Sequence, residues 1–591
     1  MVKNKFKTGR NFLLILTFLI LHLSASGGFY IAQATVRYVS HSGSNTPPYT
    51  SWATAADSIM SAINISVFGD TIYVANGVYI EEVIMIRGLA LIGSGIDSCV
   101  IDTRTLEITF AVTVRDSCLF KNFKLIKSNY NPQTQDWKGF GVYLYDVNNP
   151  SYFSIVELND IQNAKRCVIS STTNSIIDNN IITNCNNGVE ITSVSPHPTY
   201  QKVTRNYINS RYSCIRLEFG GTPYVANNIC IGQGFSGSFS GLNELYNNLF
   251  INNGGKGAAF SDNTLFINNI ITGFSEEGIL VGGDNQVVKN NVIENAEVGI
   301  TSNVSNNPVV QYNNFWNLGV VNQNTAFPDS TNIFRDPMFV DDTSDFHLQM
   351  FSPLIDAGDP NILDVDGSRS DIGIYGGPLG ERYSYQDLAP KPPRNLTAVV
   401  DSEYITISWN PNTEADFNNY NLFRDTTANF IADSTNFVVT LTDTFYQHLI
   451  PPKIDAFYYK VTATDNQGNE SGPSEELAVI ITSVNDYPTT LSNYRLYQNY
   501  PNPFNPSTKI AYKLKERGYV KLYVYDIKGE LVSVLVNQIQ DAGYYEVEFE
   551  GDVGTGQRPV LASGIYIYQI IIKSENNIPV YSDMRKMMMI K

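Results

Sequence analysis

The chain has 591 residues, more than one hydrophobic core usually holds, so several domains are expected. Its net charge is −17 with 16% of residues charged, against ~25% in a typical globular chain. That balance excludes a nucleic-acid partner, whose phosphates need a basic footprint. Tyr, Asn and Thr do the solvating instead, as on extracellular carbohydrate-handling surfaces. The chain opens with Lys3, Lys5, Lys7 and Arg10, an apolar run from Phe12 to Leu23, and Ala32-Gln33-Ala34. This order of basic, apolar and A-x-A segments predicts a secretory signal peptide over residues 1–34. The apolar run is too short for an ordinary spanning helix, and no later stretch is long enough to cross a membrane, so no transmembrane segment is expected in the mature protein.

Next, SWATAADSIMSAINISV places Trp52, Ala56, Ile59, Met60 and Ile63 on one helical face, which predicts a plug over the open end of a core. The first strand is expected in the GDTIYVANGVY that follows, where Ile72 and Val74 alternate with Thr71 and Tyr73. A recurring word then sets the architecture. Asn180, Asn206, Asn228, Asn248, Asn269, Asn291 and Asn314 each precede an apolar or aromatic residue, at successive spacings of 26, 22, 20, 21, 22 and 23. Asp160 lies 20 residues earlier and Asn122 a further 38. A period in the low twenties carried by short alternating strands marks a solenoid whose every turn is one structural unit. Asn tolerates the left-handed turn conformation, and its amide both donates and accepts, so stacked amides can bond from turn to turn. An Asn-rich disordered tract would lack the apolar alternation of GVEI and GILV.

These residues resemble the right-handed parallel β-helix proteins of the pectin-lyase-like type, in which an Asn ladder runs along one turn and a Gly-led strand follows. Here Gly188, Gly278 and Gly299 stand 8, 9 and 8 residues past their Asn, while Cys214 takes the Gly place in one rung and Asp160 replaces an Asn. The closing segment DPMFVDDTSDFHLQMFSPLIDAGDP, then DVDGSRSDIGIYGG, is similar to that of the same group. The resemblance implies an all-β fold, with a β-helix and N-terminal capping helix over 35–385. All six cysteines fall in this region. Four of them lie at +7, +5, +8 and +2 from their own ladder residues, so neighbouring rungs do not place them in one column, which favours buried free thiols over disulfides. No C-x-x-C pair supplies a structural zinc site.

APKPPRNL marks a linker over 386–395. Residues 396–484, with Trp409, Tyr459 and the GNESGPS turn, resemble a fibronectin type III module, a small β-sandwich with Trp409 in its core. Residues 485–591 carry YPNPFNPST, VKLYVYDIKGELV, ASGIYIYQI and a terminal KMMMIK, and resemble the type A sorting domain of the type IX secretion system. Period-two alternation makes this a second β-sandwich, with Gly529 and Gly564 at turns. The resemblance implies a Gram-negative cell, export through the periplasm with the type IX machinery as a partner, and a secreted or outer-membrane surface location.

In β-helices of this type ligands bind outside the strand that follows the Gly. Rung alignment puts Tyr143, Tyr145, Ser170, Glu190, Thr192, Arg216 and Glu218 outward, and Val142, Leu144, Val189, Ile191, Ile215 and Leu217 inward. Two longer loops border the patch, NYNPQTQDWK with Trp137 and SVSPHPTYQ with His197 and Tyr200. The resemblance to polysaccharide lyases makes Arg216, Glu190 and Glu218 the catalytic candidates, and Tyr143, Tyr145, Trp137 and Tyr200 the substrate-binding ones. The alternative for the charged three is a solvated cross-strand ion pair. A polygalacturonase-type three-Asp cluster with its G-H-G and R-I-K words is absent, and no His has a Ser or Cys partner at a known spacing. Asp364, Asp366 and Asp371 offer oxygens at part of a calcium-loop spacing, so calcium is the one cofactor the sequence raises; a polar closing turn fits the same residues. Extracellular polysaccharide is the expected partner, and the sequence leaves adhesive binding and uronate-directed lyase chemistry both open.

Overall fold

The computed structural model describes residues 34–591 except 132, 134–135, 146–152, 173, 193–199, 219–221, 239–242, 252–253, 261, 303–307, 325–328, 402–403, 451–454, 482–492, 501, 551–561, 575, 577 and 591. The signal-peptide residues 1–33 and His197 therefore lie outside the described residues. So does the side chain of Glu218, although its backbone ends the strand Tyr207–Glu218. The chain divides into two compact units, Met1–Pro390 with Thr413–Phe417, and Lys391–Asn412 with Asn418–Lys591. Among the described residues no helix is long and apolar enough to cross a membrane.

The first unit is a parallel solenoid. One sheet runs through twelve short strands from Val36–Val39 to Val309–Gln311, and a second, sixteen-stranded sheet faces it. The first sheet begins earlier than the sequence pattern predicts, with Val36–Val39 paired in parallel to Thr71–Val74. Ile72 and Val74 point inward and are buried, and Tyr73 is exposed. The long strands of the second sheet, such as Asp160–Ser170, Ile181–Ile191 and Val292–Ser302, turn a corner in mid-strand at Asn163, Asn184 and Asn295, all with positive φ. Asn suits that conformation because its short polar side chain bonds locally where a Cβ would otherwise be penalised. The entry segment is shorter than the helical pattern implies: a 3-10 turn over Trp52–Thr54, then a helix over Ile59–Ile63 only. Ala56, Ile59, Ala62 and Ile63 are buried in the core, but Trp52 is 49% exposed and packs on Tyr38 at 4.5 Å. Its expected place in the plug is corrected, because the break at Ala55 turns the 3-10 segment away from the helix axis.

The repeated NN word has two jobs. Asn159, Asn180, Asn206, Asn228, Asn248, Asn269, Asn291, Asn313 and Asn332 form a continuous ladder, each Nδ2 donating to the next Oδ1 at 2.9–3.1 Å. Each of these oxygens also accepts the backbone N–H of the preceding ladder residue, as Asn228 N does to Asn248 Oδ1 at 3.1 Å. The residue just before every ladder Asn except the last, Asn332, is left-handed: Leu158, Asn179, Arg205, Asn227, Asn247, Asn268, Asn290 and Tyr312. Three expected ladder positions are corrected by one residue. Asn122 is a left-handed residue at φ 64°, and Phe123 after it gives only its backbone N–H to Asn159 Oδ1. Asp160 follows the ladder residue Asn159, and Asn314 follows Asn313, where its amide instead meets the backbone of Arg335.

The left-handed Asn side chains point outward and hold the closing segment. Asn247 Nδ2 donates to the carbonyls of Ile374 and Gly376, Asn268 Nδ2 to those of Asp371 and Gly373, and Asn290 Oδ1 accepts from Asp359 N. Leu249, Ile270 and Val292, each the residue after a ladder Asn, cluster outside the barrel with Phe339, Phe346, Leu348, Leu354 and Ile372. The segment thus clamps along the flank of the last rungs, and apolar residues that alternation leaves outside are removed from water. Cys167 and Cys185 form a disulfide, while Cys99, Cys118, Cys214 and Cys230 are buried and free. The expectation of free thiols throughout is corrected: the bridge joins different offsets on adjacent rungs, across the corner at Asn184.

The second unit holds two pairs of antiparallel sheets. Strands Thr397–Val400, Tyr404–Ser408 and Phe445–Leu449 form a three-stranded sheet, and Phe437–Leu441, Phe417–Asp425, Ala456–Asp465 and Leu477–Ile480 a four-stranded one. Trp409 is buried edge-on against Tyr420. The last hundred residues repeat the three-plus-four arrangement around Leu496, Phe504, Tyr512, Leu522 and Tyr568. Here two sequence words meet: Phe504 N donates to Met588 O at 2.9 Å and Ile590 N to Phe504 O at 3.0 Å. Gly529 has the positive φ of a turn, whereas Gly564 begins the strand Gly564–Lys573.

Candidate functional site

On the outer face of the second sheet, Thr113, Tyr143, Ile169, Glu190 and Arg216 stand in register on successive rungs. The alternation that places them outward drives Val142, Val189 and Ile215 into the core. Ser170 departs from expectation: it is in register with Leu144 and Ile191, points inward, and satisfies its hydroxyl with Thr172 and Ser175. Glu190 faces outward yet is only 1% exposed, because Arg166 reaches over it with Nε 3.0 Å from Oε2 and Asn187 Nδ2 approaches the same oxygen at 3.4 Å. A carboxylate covered in this way serves to hold a guanidinium in place.

Beside this column opens a cleft of about 490 Å³, lined by Gln133, Asp136, Lys165, Arg166, Asn186, Asn187, Arg211, Tyr212 and Arg216. Four cations face one lining carboxylate, and Asp136 is itself hydrogen-bonded by Asn186 Nδ2. Asn186 is 5% exposed, and its Oδ1 has no hydrogen-bond partner among the described residues. A buried amide oxygen left without a donor is unusual, and each instance calls for a cause. Tyr212 is 44% exposed with the Arg211 guanidinium 5.2 Å from its ring centroid. Arg166 likewise lies 5.5 Å from the Phe140 ring. Planar cations held against aromatic faces are pre-aimed for bidentate bonds to oxyanions such as carboxylate and sulfate.

The structure sorts the candidates named from sequence. Arg216 lines the cleft and Glu190 lies beneath its Arg166 wall. Tyr143 stacks on Phe110 at 4.4 Å and lies 5.7 Å from Tyr145, on rungs before the cleft. Trp137 packs on Tyr130, next in sequence to the lining residue Asp136. Tyr200 does not rim this site: it opens the strand Tyr200–Thr204 of the other sheet and meets Phe153 and Lys202. The carboxylates expected to ligate calcium instead close turns. Asp371 accepts from Asp356 N and Tyr385 Oη, Asp364 from Asp371 N and Gly377 N, and Asp366 from Ser368. Burial pushes Asp371 up to about 6 and raises Asp364 as well. Among the described residues no group of three or more His, Cys, Asp or Glu side chains could hold a metal ion. Sequence reading missed Lys165, Asn186 and Tyr212, which share an offset of six from Asn159, Asn180 and Asn206; alignment on Asp160 hid that column.

Residues 140–286 match the family model described as right handed beta helix region. The solenoid is a right-handed parallel β-helix. The matched segment contains all but two of the residues lining the cleft of this β-helix. Comparison with curated proteins gives no match. Among solved structures, a Fn3-like protein from Clostridium thermocellum is 30% identical over 15% of this chain and 91% of its own, with a TM-score of 0.13. Domains FN1–FN3 of chicken CNTN1 are 14% identical over 36% of this chain and 71% of theirs, at 0.14. An alpha-L-rhamnosidase from Dictyoglumus thermophilum is 14% identical over 34% of this chain and 29% of its own, at 0.15. Likeness at such TM-scores decides nothing about function.

Proposed function

We propose that this protein is an exported, multidomain β-helix protein that binds an acidic extracellular polysaccharide in the cleft around Arg211 and Arg216, without cleaving it. The observation that carries the reading is the cleft itself: four cations and an exposed tyrosine ring around one carboxylate. Uronate or sulfate groups supply anions that complement the excess of cations in this lining, and sugar rings stack on an exposed aromatic face. Catalysis finds less support. An arginine keeps its proton, so neither Arg211 nor Arg216 suits proton abstraction, and Glu190 and Asp136 are both engaged with neighbouring residues. The N-terminal signal-peptide pattern, the fibronectin-like middle and the YPNPFNPST-to-KMMMIK sorting pattern support delivery to the surface of a Gram-negative cell by the type IX route.

Titration calorimetry with polygalacturonate and with neutral dextran, at low and at 0.5 M salt, tests this reading. Binding to the uronate polymer that weakens with salt, little binding to dextran, and no growth of unsaturated-product absorbance with or without calcium are expected. Failure to bind any anionic glycan at low salt refutes it, and accumulating unsaturated product makes the protein a lyase.

A further inference from the structure

The β-helix core contains a packing rule that cysteine breaks at two rungs, and on both sides of the exchange at only one of them. Gly141, Gly188, Gly257, Gly278 and Gly299 face the interior, and a Cβ added to any of them would meet the residue two past the ladder Asn of the next rung. The partners are Ile161 at 3.2 Å for Gly141, Ile208 for Gly188, Ile271 at 2.5 Å for Gly257, Ile293 at 2.7 Å for Gly278 and Phe315 at 3.1 Å for Gly299. A glycine is therefore exchanged against a bulky side chain at each of these contacts. On the rung of Asn206 the Gly place holds Cys214, and two past the next ladder residue, Asn228, stands Cys230. Both are 0% exposed. Two medium side chains occupy the space that Gly and Ile fill elsewhere, and both end in sulfur.

The surrounding contacts agree. Cys214 Sγ lies 3.7 Å from Ile208 O and 3.3 Å from Ile231 O. Ile208 is the register partner of Cys230, and Ile231 follows it in the chain. Burial and the neighbouring Cys214 sulfur raise the Cys230 thiol well above its ordinary range. Another cysteine at the same place as Cys214, Cys167, stands in the same relation to its own rung, with Sγ 3.7 Å from Ile161 O, and is already bridged to Cys185.

We propose that Cys214 and Cys230, free thiols in this structure, pair as a second cross-rung disulfide when the protein folds in an oxidising compartment. Two thiols lose their protons, the sulfurs join, and the electron pair passes by exchange to a disulfide oxidant, which leaves as two thiols. Because both side chains are closed off in the folded rung, the exchange precedes closure of the core. The first bridge joins the rung of Lys165 and Arg166 to that of Asn186 and Asn187, and the second would join the rung of Arg211, Tyr212 and Arg216 to its neighbour. Each rung that supplies the cleft with Lys165, Asn186 or Tyr212 would then be stapled to a neighbouring rung. This inference stands whether or not the cleft binds glycan.

The test is differential alkylation of the full chain refolded with glutathione disulfide. Thiols of the denatured, unreduced protein take iodoacetamide; after reduction the remainder take N-ethylmaleimide, and peptides are read by mass spectrometry. Cys99 and Cys118 are expected with the first label, and Cys167, Cys185, Cys214 and Cys230 with the second. In Cys230→Ser, Cys214 alone should move to the first label. Cys214 and Cys230 carrying the first label in the wild-type chain overturns the proposal, as does Cys214 remaining blocked in the Cys230→Ser chain.

Discussion

Replacing Asn248 with Ala strikes the ladder at its middle. Its Nδ2 donates to Val225 O at 2.9 Å and to Asn269 Oδ1 at 3.0 Å, and its Oδ1 accepts from Asn228 N at 3.1 Å and Asn228 Nδ2 at 2.9 Å. Not all four bonds weigh equally. Asn228 Nδ2 keeps Val203 O and Ala226 O, and Asn269 Oδ1 keeps the backbone N–H of residue 248. The Asn228 N–H, by contrast, loses the acceptor it has in this buried bend. One stranded buried donor costs about 1–3 kcal/mol, and the loss of the remaining contacts brings the total to roughly 2–4 kcal/mol. Asn64→Ala is the control: Asn64 is exposed at a helix C-cap with φ −62°, where Ala is accommodated. Urea unfolding followed by hydrogen exchange should show Asn248→Ala destabilised and the amide of residue 228 among the first to lose protection, with Asn64→Ala within about 0.5 kcal/mol of wild type. Equal losses in the two variants, or unchanged protection at residue 228, would refute the account of the ladder.

Asn247→Ala removes the amide that holds Ile374 and Gly376 and places Ala at φ 53°. It should lower stability by about 1–2 kcal/mol and speed hydrogen exchange in residues 356–377 while leaving residue 228 protected. Stability of the same segment should depend on pH through Asp371. Its folded pKa of about 6 lies above the ~3.9 of an unfolded Asp, so its protonated form favours the fold, and the benefit present below about pH 4 is lost as pH rises through 6. Melting curves between pH 4 and 7 should show this slope in the wild type and a flatter one in Asp371→Asn. In calorimetry, Arg216→Ala and Arg211→Ala should each weaken polyuronate binding at least tenfold, and Tyr73→Ala, remote in sequence from the cleft, should not. Deleting Leu491–Lys591 should leave the β-helix folded but retained in the periplasm of a type IX host, as read by cell fractionation; normal surface delivery would remove the sorting role.

The period of the solenoid was legible because each rung repeats the same backbone problem, a left-handed residue followed by a buried amide. Where Asn fills both places, as at Asn247-Asn248, the pair reads correctly. Two errors came where the ladder Asn is itself followed by a residue of the same kind, as at Asn159-Asp160 and Asn313-Asn314, which displaces the apparent rung by one residue. The third came at Asn122, where Phe123 stands in the ladder place. The slip at Asp160 also hid the column of Lys165, Asn186 and Tyr212. The disulfide escaped for a different reason: equal offset finds residues stacked within one strand column, and Cys167–Cys185 runs across a corner. Glu190 was placed outward correctly, but the covering reach of Arg166 depends on a long side chain from a neighbouring rung, which no single-strand pattern encodes.

The Asn ladder is polar along its length: every side-chain amide presents its oxygen toward the N-terminal rung and its N–H toward the C-terminal one. Such a stack has a head and a tail that are chemically unlike. At the head Phe123 offers a backbone N–H and no amide, and at the tail Asn332 turns its Nδ2 back to Val310 O and Asp329 O. Lengthening the protein by inserting rungs between these ends would preserve every partner, whereas adding one beyond either end would not. Growth by internal duplication is therefore the route this chemistry leaves open, and each inserted rung would bring its own outer strand face, free to diversify while the amides within remain unchanged.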